Sequence, residues 1–266
     1  MTQSTQGTAL ITGASSGIGA LYAEQLAQKG YDLILVARDR SRLNALADRV
    51  TTATRRVVEV LDADLAIPAQ RARVEAKLRD DATITMLVNN AGVGTHTPLL
   101  DSDAERMSQM IELNVNALTR LTYAAIPGFV ARGKGAVINI SSIVAIAPEL
   151  LNGVYGGSKA FVLAFSQSLQ HELAGKGVRV QAVLPGATAT EFWATGGLPL
   201  EHLPTEIVMR AEDLVSSALT GFEHGEVVTI PSLHDVSLWD AYEAARQTLS
   251  PQLGNGTPAP RYRTAR

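Results

Sequence analysis

The chain has 266 residues, 46% of them hydrophobic and 18% charged, with a formal net charge of -3; that length can bury a sizeable core, and that charge gives no general pull towards nucleic acid or an anionic membrane. There is no cysteine, which excludes disulfides, thiolate metal sites and cysteine nucleophiles. The five histidines lie far apart with no local metal motif, and no apolar run approaches the roughly 18 residues of a membrane span, so a metal-free, soluble, cytoplasmic protein is expected.

Strand-like and helix-like segments then alternate along the chain. "TALIT" (8–12) precedes a helical pattern at 17–29, "DLILV" (32–36) one at 40–50, and "RVVEVL" (56–61) one at about 68–79. "ITMLVN" (84–89) leads to a long helical stretch at about 103–131, "GAVINIS" (135–141) to one at 154–175, and "VRVQAVL" (178–184) to one at about 211–223. "EVVTI" (226–230) fits a last strand. Short, continuously apolar strands separated by helices argue for an α/β fold: a doubly wound, mostly parallel sheet of seven strands with helices on both faces. Gly30, Gly133 and Gly177 sit just past helical patterns, where a left-handed cap is expected. A single domain is expected over 1–249. The tail from 250 to 266, rich in proline, glycine and arginine, is expected to be disordered or to lie on a partner subunit.

Two junctions in this pattern suit an anionic ligand. "TGASSGIG" (12–19) joins the first strand to the first helix, with Gly13, Gly17 and Gly19 at G-x-x-x-G-x-G spacing. Glycine permits the tight turn and the close approach of backbone to a ligand, and a helix N-terminus favours a pyrophosphate. At the end of the second strand come Ala37, Arg38, Asp39, Arg40, Ser41 and Arg42. An acidic residue is expected about there in a site that holds a bare adenosine ribose, whereas an arginine accommodates a 2′-phosphate. Alanine occupies the acid's place and Arg38 follows it, which points to NADP(H). Asp39 either supplies the ribose contact or starts the next helix; the second reading is preferred. Arg42 is a weaker second contact or is simply solvated.

"YGGSKAF" (155–161) sets Tyr155 and Lys159 four residues apart, on one face of a helix. A nearby ammonium favours the phenolate, so such a tyrosine can exchange a proton with an alcohol closer to neutral pH. Thirteen residues upstream, "NISSI" (139–143) ends a buried strand with Ser141 and Ser142, which can orient a substrate oxygen or simply form a turn. "GGSKA" imitates a hydrolase nucleophile elbow, but Ala160 replaces the last glycine and the stretch lies inside a helical pattern, which excludes that reading.

With these motifs in order, joined by "NNAG" (89–92), Asn114 in "LNV" and "PGATAT" (185–190), the chain resembles the classical short-chain dehydrogenases/reductases over about residues 7–230. The resemblance implies a Rossmann-type NADP-binding oxidoreductase that moves hydride between nicotinamide and a ketone, aldehyde or secondary alcohol. It implies Tyr155 as proton donor or base and Ser142, rather than Ser141, as the group that orients the substrate oxygen. Lys159 would lower the tyrosine's pKa and hold the nicotinamide ribose, and Asn114 would keep a helix open for a proton-relaying water. The cofactor would lie along Gly13, Ser15, Ser16, Gly17, Ile18 and Gly19, with Arg38 at the adenosine phosphate. Asp64 and Leu65 would lie at the adenine, Asn90, Ala91 and Gly92 along the ribose, and Pro185, Gly186 and Thr188 near the carboxamide and phosphates, with Tyr155 and Lys159 closing the site. Gly156 and Gly157 depart from the family's usual alanine-like residues and suggest close packing of the backbone against a neighbouring helix or the substrate. The alternatives are a 3-oxoacyl-type reductase of fatty-acid metabolism and, from another class, a non-catalytic NADP-binding regulator. The segment 187–204, carrying Phe192, Trp193, Leu198, Leu200 and Leu203, is expected to close as a lid over an apolar small-molecule substrate, or to be partly core or subunit contact. A homotetramer or homodimer is expected, because members of this family commonly pair the two long helices across two-fold axes.

Overall fold

The computed structural model describes residues 4, 6–197 and 199–262. Leu198 of the expected lid and residues 263–266 of the tail lie outside the described residues. The chain forms two compact units, Met1–Pro231 and Ser232–Arg266.

The first unit follows the alternation read from the sequence. Its first half comprises β1 (Thr8–Thr12), α1 (Gly17–Gln28), β2 (Asp32–Ala37), α2 (Arg40–Thr54), β3 (Val58–Asp62), α3 (Pro68–Asp80) and β4 (Ile84–Asn89). Then come α4 (Ala104–Ile111), a π-helical segment (Glu112–Ala117), α5 (Leu118–Arg132), β5 (Gly135–Ile140), α6 (Gly153–Glu172) and β6 (Val178–Val183). Two short strands, β7 (Thr188–Ala189) and β8 (Met209–Arg210), flank a segment that carries the short helix α7 (Phe192–Thr195). The unit ends with α8 (Ala211–Glu223) and β9 (Val228–Thr229).

Seven strands form one sheet in the order β3-β2-β1-β4-β5-β6-β9, and every pairing among them is parallel. Neighbouring residues of a strand supply opposite faces, as the two-residue pleat requires. Ala9, Ile11, Leu33 and Leu35 pack with Tyr22, Leu43, Leu214 and Phe222 on one side. Leu10, Ile34 and Val36 pack with Val74, Leu121, Phe129 and Leu169 on the other. Both faces are therefore covered, which is why β2 reads as an unbroken apolar run. The strand order reverses direction between β1 and β4, and the crevice beyond their carboxyl ends is where such sheets bind ligands. Gly30, Gly133 and Gly177 have φ of +96°, +61° and +73°, the left-handed values expected past helix ends.

Three features differ from the sequence reading. The long stretch expected at 103–131 is not one regular helix, because the π segment interrupts it at Asn114. The last strand shrinks to two residues, since β6 offers it only Ala182 and Val183 as partners. A helix that periodicity did not reveal, α9 (Val236–Leu249), lies in the second unit. Asp235 caps it, accepting from Ser237 N at 3.0 Å and Ser237 Oγ at 2.6 Å.

Candidate active site

The glycine loop joins β1 to α1. Gly13 and Gly17 take left-handed φ of +65° and +53°. A Cβ on Gly13 would lie 2.7 Å from Asn90 Nδ2 and 2.9 Å from Ala91 Cα, so both the conformation and the space require glycine. Thr12, which the sequence reading passed over, clamps this junction. Its hydroxyl accepts from Asn90 N and Ala91 N, both at 3.0 Å, and Asn90 Nδ2 donates to Thr12 O at 2.9 Å. Ser16 precedes α1 without a side-chain cap, and the first turn carries no acid. The helix thus presents uncapped N–H groups and its positive end to the crevice.

At the end of β2 the cluster of charges divides by role. Asp39 caps α2, its carboxylate accepting from Arg42 N at 3.0 Å. Arg40 pairs with Asp62 at 3.2 Å. Arg42 is exposed, and its Nη1 donates to Glu191 Oε2 at 2.7 Å. Arg38 is exposed and, among the described residues, has no ion pair. Farther along the crevice, Asp64 is half-buried, and its carboxylate accepts from Ala66 N at 3.0 Å. Leu65 is buried in the core beside it.

The candidate catalytic groups converge on the start of α6. Asn152 caps that helix, accepting from Val154 N at 2.9 Å and Tyr155 N at 3.3 Å. Its amide donates to Thr97 O at 2.7 Å, tying the helix to the loop after β4. Tyr155 and Lys159 are both buried. The Lys159 Nζ lies 5.8 Å from the centre of the tyrosine ring and donates to Ile140 O at 2.9 Å. The Ser142 hydroxyl lies on the Tyr155 side, where it draws the phenol's pKa down, and makes a long contact of 3.4 Å to Pro185 O, whereas the Ser141 hydroxyl donates to Lys159 O at 2.7 Å. Ser141 therefore braces α6, and Ser142 is left on the tyrosine's side. Asn114 Oδ1 accepts from Val93 N at 2.9 Å, and its Nδ2 donates to Val93 O at 2.8 Å and to Ser158 Oγ at 3.1 Å. The π turn carries Asn114 sideways to this loop and to α6, a common reason for such turns at functional sites.

The electrostatics differ from the simple expectation. Burial pushes the Tyr155 phenol up to about 12, with the Ser142 hydroxyl pulling the other way. Burial pushes the Lys159 ammonium down to about 8. Desolvation penalises the charged form of each group and is the largest influence on both. Tyr155 is thus a firmly protonated acid beside a lysine poised near neutrality.

Phe192 forms the site's apolar wall, its ring centre 5.9 Å from that of Tyr155. A Cβ on Gly94 would overlap the Phe192 ring and lie 3.1 Å from Tyr155 Cε2, so this contact needs glycine at 94. That residue closes "NNAGVG", two positions beyond the motif that was quoted, and was missed. Phe192 and Trp193 line a small cleft with Gly94, His96, Leu151 and Gly196, where His96 Nδ1 lies 3.0 Å from Gly196 O. Trp193 Nε1 donates to Thr188 O at 2.9 Å. Pro185 O accepts from Ile143 N at 3.0 Å, and the buried Thr188 hydroxyl donates to Gly186 O at 3.0 Å. Within this chain, Gly156 and Gly157 are not required for the packing of α6 against its neighbours. A Cβ at 156 would make ordinary contact with Pro148 at 3.4 Å, and one at 157 would meet nothing within 4 Å.

The family model of the short chain dehydrogenases matches residues 7–197. The chain belongs to the short-chain dehydrogenases/reductases. A short-chain dehydrogenase from Sphingobium yanoikuyae, solved in complex with NADPH, is 50% identical, with a TM-score of 0.93 over 96% of this chain and 100% of that one. A bulky-bulky ketone specific alcohol dehydrogenase from Comamonas testosteroni is 44% identical, with a TM-score of 0.88 over 97% of this chain and 99% of that one. A serine 3-dehydrogenase from Rhizobium radiobacter is 38% identical over 72% of this chain and 76% of its own. As a short-chain dehydrogenase, the protein is an oxidoreductase with a Rossmann-type sheet, and its site suits a nicotinamide dinucleotide. The glycine cradle and uncapped helix end match a diphosphate, and the exposed Arg38 suits a further anion.

Proposed function

We propose that the protein is an NADP(H)-dependent oxidoreductase of ketones, aldehydes or secondary alcohols, with Tyr155 as its general acid and base. The observation that carries this reading is the buried Tyr155, one helical turn before the buried Lys159, whose Nζ lies 5.8 Å from the centre of the tyrosine ring. When bound, the nicotinamide cofactor supplies or accepts the hydride.

In reduction, Tyr155 gives its proton to the substrate oxygen, and Ser142 orients that oxygen. In oxidation, Tyr155 takes the alcohol proton, and the charge on Lys159 favours the phenolate that does so. Asn114 holds the π turn against Val93 and Ser158 and so keeps a proton path beside Lys159. Gly13, Ser15, Ser16, Gly17, Ile18 and Gly19 would hold the diphosphate side and Arg38 the 2′-phosphate. Asp64 and Leu65 would line the adenine, and Asn90, Ala91 and Gly92 the ribose. Pro185, Gly186 and Thr188 would line the nicotinamide end. The segment 187–204 serves as the lid, and Phe192 against Tyr155 makes the pocket apolar. A bulky, apolar carbonyl is the substrate class we favour; the 44% identical relative named for bulky ketones supports it.

The catalytic domain in this reading runs from residue 1 to 249, and the working form is a cytoplasmic homotetramer or homodimer. Among the described residues no helix is long and apolar enough to cross a membrane. The test is a panel of bulky ketones, hydroxy acids and 3-oxoacyl thioesters with NADPH and with NADH, with products identified. Preferential reduction of bulky ketones with NADPH is the expected result. Preferential turnover of the thioesters would move the reading to a 3-oxoacyl reductase, and binding of cofactor with no turnover of any substrate to a regulator.

A further inference from the structure

Three consecutive residues at the start of the lid reach three parts of the site. A Cβ on Gly17 of the glycine loop would lie 3.3 Å from the Thr190 methyl. Glu191 Oε2 accepts from Arg42 Nη1 at 2.7 Å. Phe192 stands against Tyr155. The lid is therefore fastened, 149 residues away in sequence, to the same strand end that presents Arg38.

The basic cluster there is otherwise committed. Arg40 is held by Asp62, and Asp39 is used in capping α2, with its other oxygen 3.6 Å from Arg42 Nε. The main partner of the Arg42 guanidinium is thus a carboxylate contributed by the lid. A carboxylate on a guanidinium makes the same charge-assisted contact that a phosphate oxygen would make. A phosphate carries more charge and a third oxygen, so it wins that contact when both compete.

We propose that Glu191 discriminates between the two nicotinamide cofactors: its carboxylate holds the place of a 2′-phosphate on Arg42, and NADP(H) displaces it while NAD(H) does not. This rests on the NADP(H) reading given above. Displacement breaks the Arg42–Glu191 tie at the start of the lid at the moment the phosphorylated cofactor arrives. Phe192 is the next residue, so the exchange at Arg42 is felt at Tyr155. Both side chains are more than half exposed, so the pair is worth little in water, and the discrimination is a tuning of a few-fold rather than a gate.

The experiment is a fluorescence titration of NADPH and NADH binding to wild type, Glu191→Gln, Arg42→Ala and the double variant, without substrate. Glu191→Gln is expected to tighten NADPH about two- to fivefold, the worth of an exposed ion pair, and to change NADH by much less. In the Arg42→Ala background the same change is expected to have no effect, since the competition is gone. Equal tightening of both cofactors, or none of NADPH, overturns the inference. So does a gain that persists without Arg42, which would mean that Glu191 acts only as a distant charge. Wild type binding NADH as tightly as NADPH would overturn the cofactor reading itself and this inference with it. A preference for NADPH that Glu191→Gln leaves unchanged removes the inference alone.

Discussion

Tyr155 keeps its proton throughout the neutral range because burial raises its pKa, and this fixes the direction of its pH dependence. Reduction uses the phenol, which is fully present at neutrality, so its kcat/KM is expected to be level from about pH 6 to pH 8. Oxidation needs the phenolate, whose fraction grows about tenfold per pH unit below the pKa. Oxidation should therefore climb over that range. It should flatten as the pH passes about 8, where Lys159 loses the charge that favours the phenolate. A pH–rate profile of both directions checks this, and an oxidation rate that does not change with pH would contradict it. Tyr155→Phe removes one hydroxyl and leaves the cofactor site intact. It should bind NADPH as wild type does and lose about 10²–10⁴-fold in turnover. Retention of more than about a tenth of wild-type activity would remove Tyr155 from its role. Arg38→Ala should weaken NADPH by roughly 1.5–3 kcal/mol, the usual worth of a hydrogen bond to a charged group, and leave NADH nearly unchanged. Calorimetric titration reads both, and equal weakening would mean that Arg38 does not meet the 2′-phosphate. These residues were legible because their spacing is local: four residues on a helix, eighteen from the last loop glycine to Ala37. The bracing role of Ser141 was not, because it depends on a backbone carbonyl of α6 that only the fold brings near. Nor was the Arg42–Glu191 pair, which joins residues that only the fold brings together.

At the scale of elements, what the chain buries decided what could be read from it. β1, β2, β4 and β5 are buried on both faces and announce themselves as continuous apolar runs. Helix α9 has no buried residue, so no apolar stripe contrasted with a polar face; the local signal was Asp235 as a cap before a run of good helix formers. The π turn was hidden because its cause lies across the site: Asn114 gives its side chain to Val93 and Ser158, and periodicity does not record such partners. The segment 187–204 was visible as an interruption of the strand-helix alternation. The structure adds its seating, with Phe192 on Gly94 and Tyr155, and Trp193 donating to Thr188 O. A segment with so few regular hydrogen bonds should open more readily than the sheet does. Limited proteolysis is expected to cut within 187–204 first, and more slowly once NADPH and a bulky ketone are both bound. Equal cleavage with and without them would mean that the segment does not close over substrate.

The whole molecule leaves apolar surface where the sheet offers no further cover. Both faces of the sheet are already filled by the packing of α1, α2 and α8 on one side and α3, α5 and α6 on the other. Yet Phe161 of α6 remains 37% exposed, its ring stacked 5.5 Å from that of Phe165, and Tyr123 of α5 is 68% exposed. Ile111, at the end of α4, is 42% exposed. An aromatic pair at the surface of one long helix and a tyrosine on the other give a second copy something to cover, and a two-fold axis would present the same faces to each other. Burying about 150–250 Å² per aromatic side chain on each partner is a large gain for a closed dimer. An aspartate at 161 would place a charge in such an interface without a partner, at a cost that an isolated surface would not feel. Light scattering at micromolar concentration is therefore expected to give two or four times the 28.2 kDa chain mass. Phe161→Asp should shift that distribution towards the single chain while near-ultraviolet circular dichroism stays unchanged. A wild-type mass of one chain would show that these aromatic faces meet water in the working enzyme.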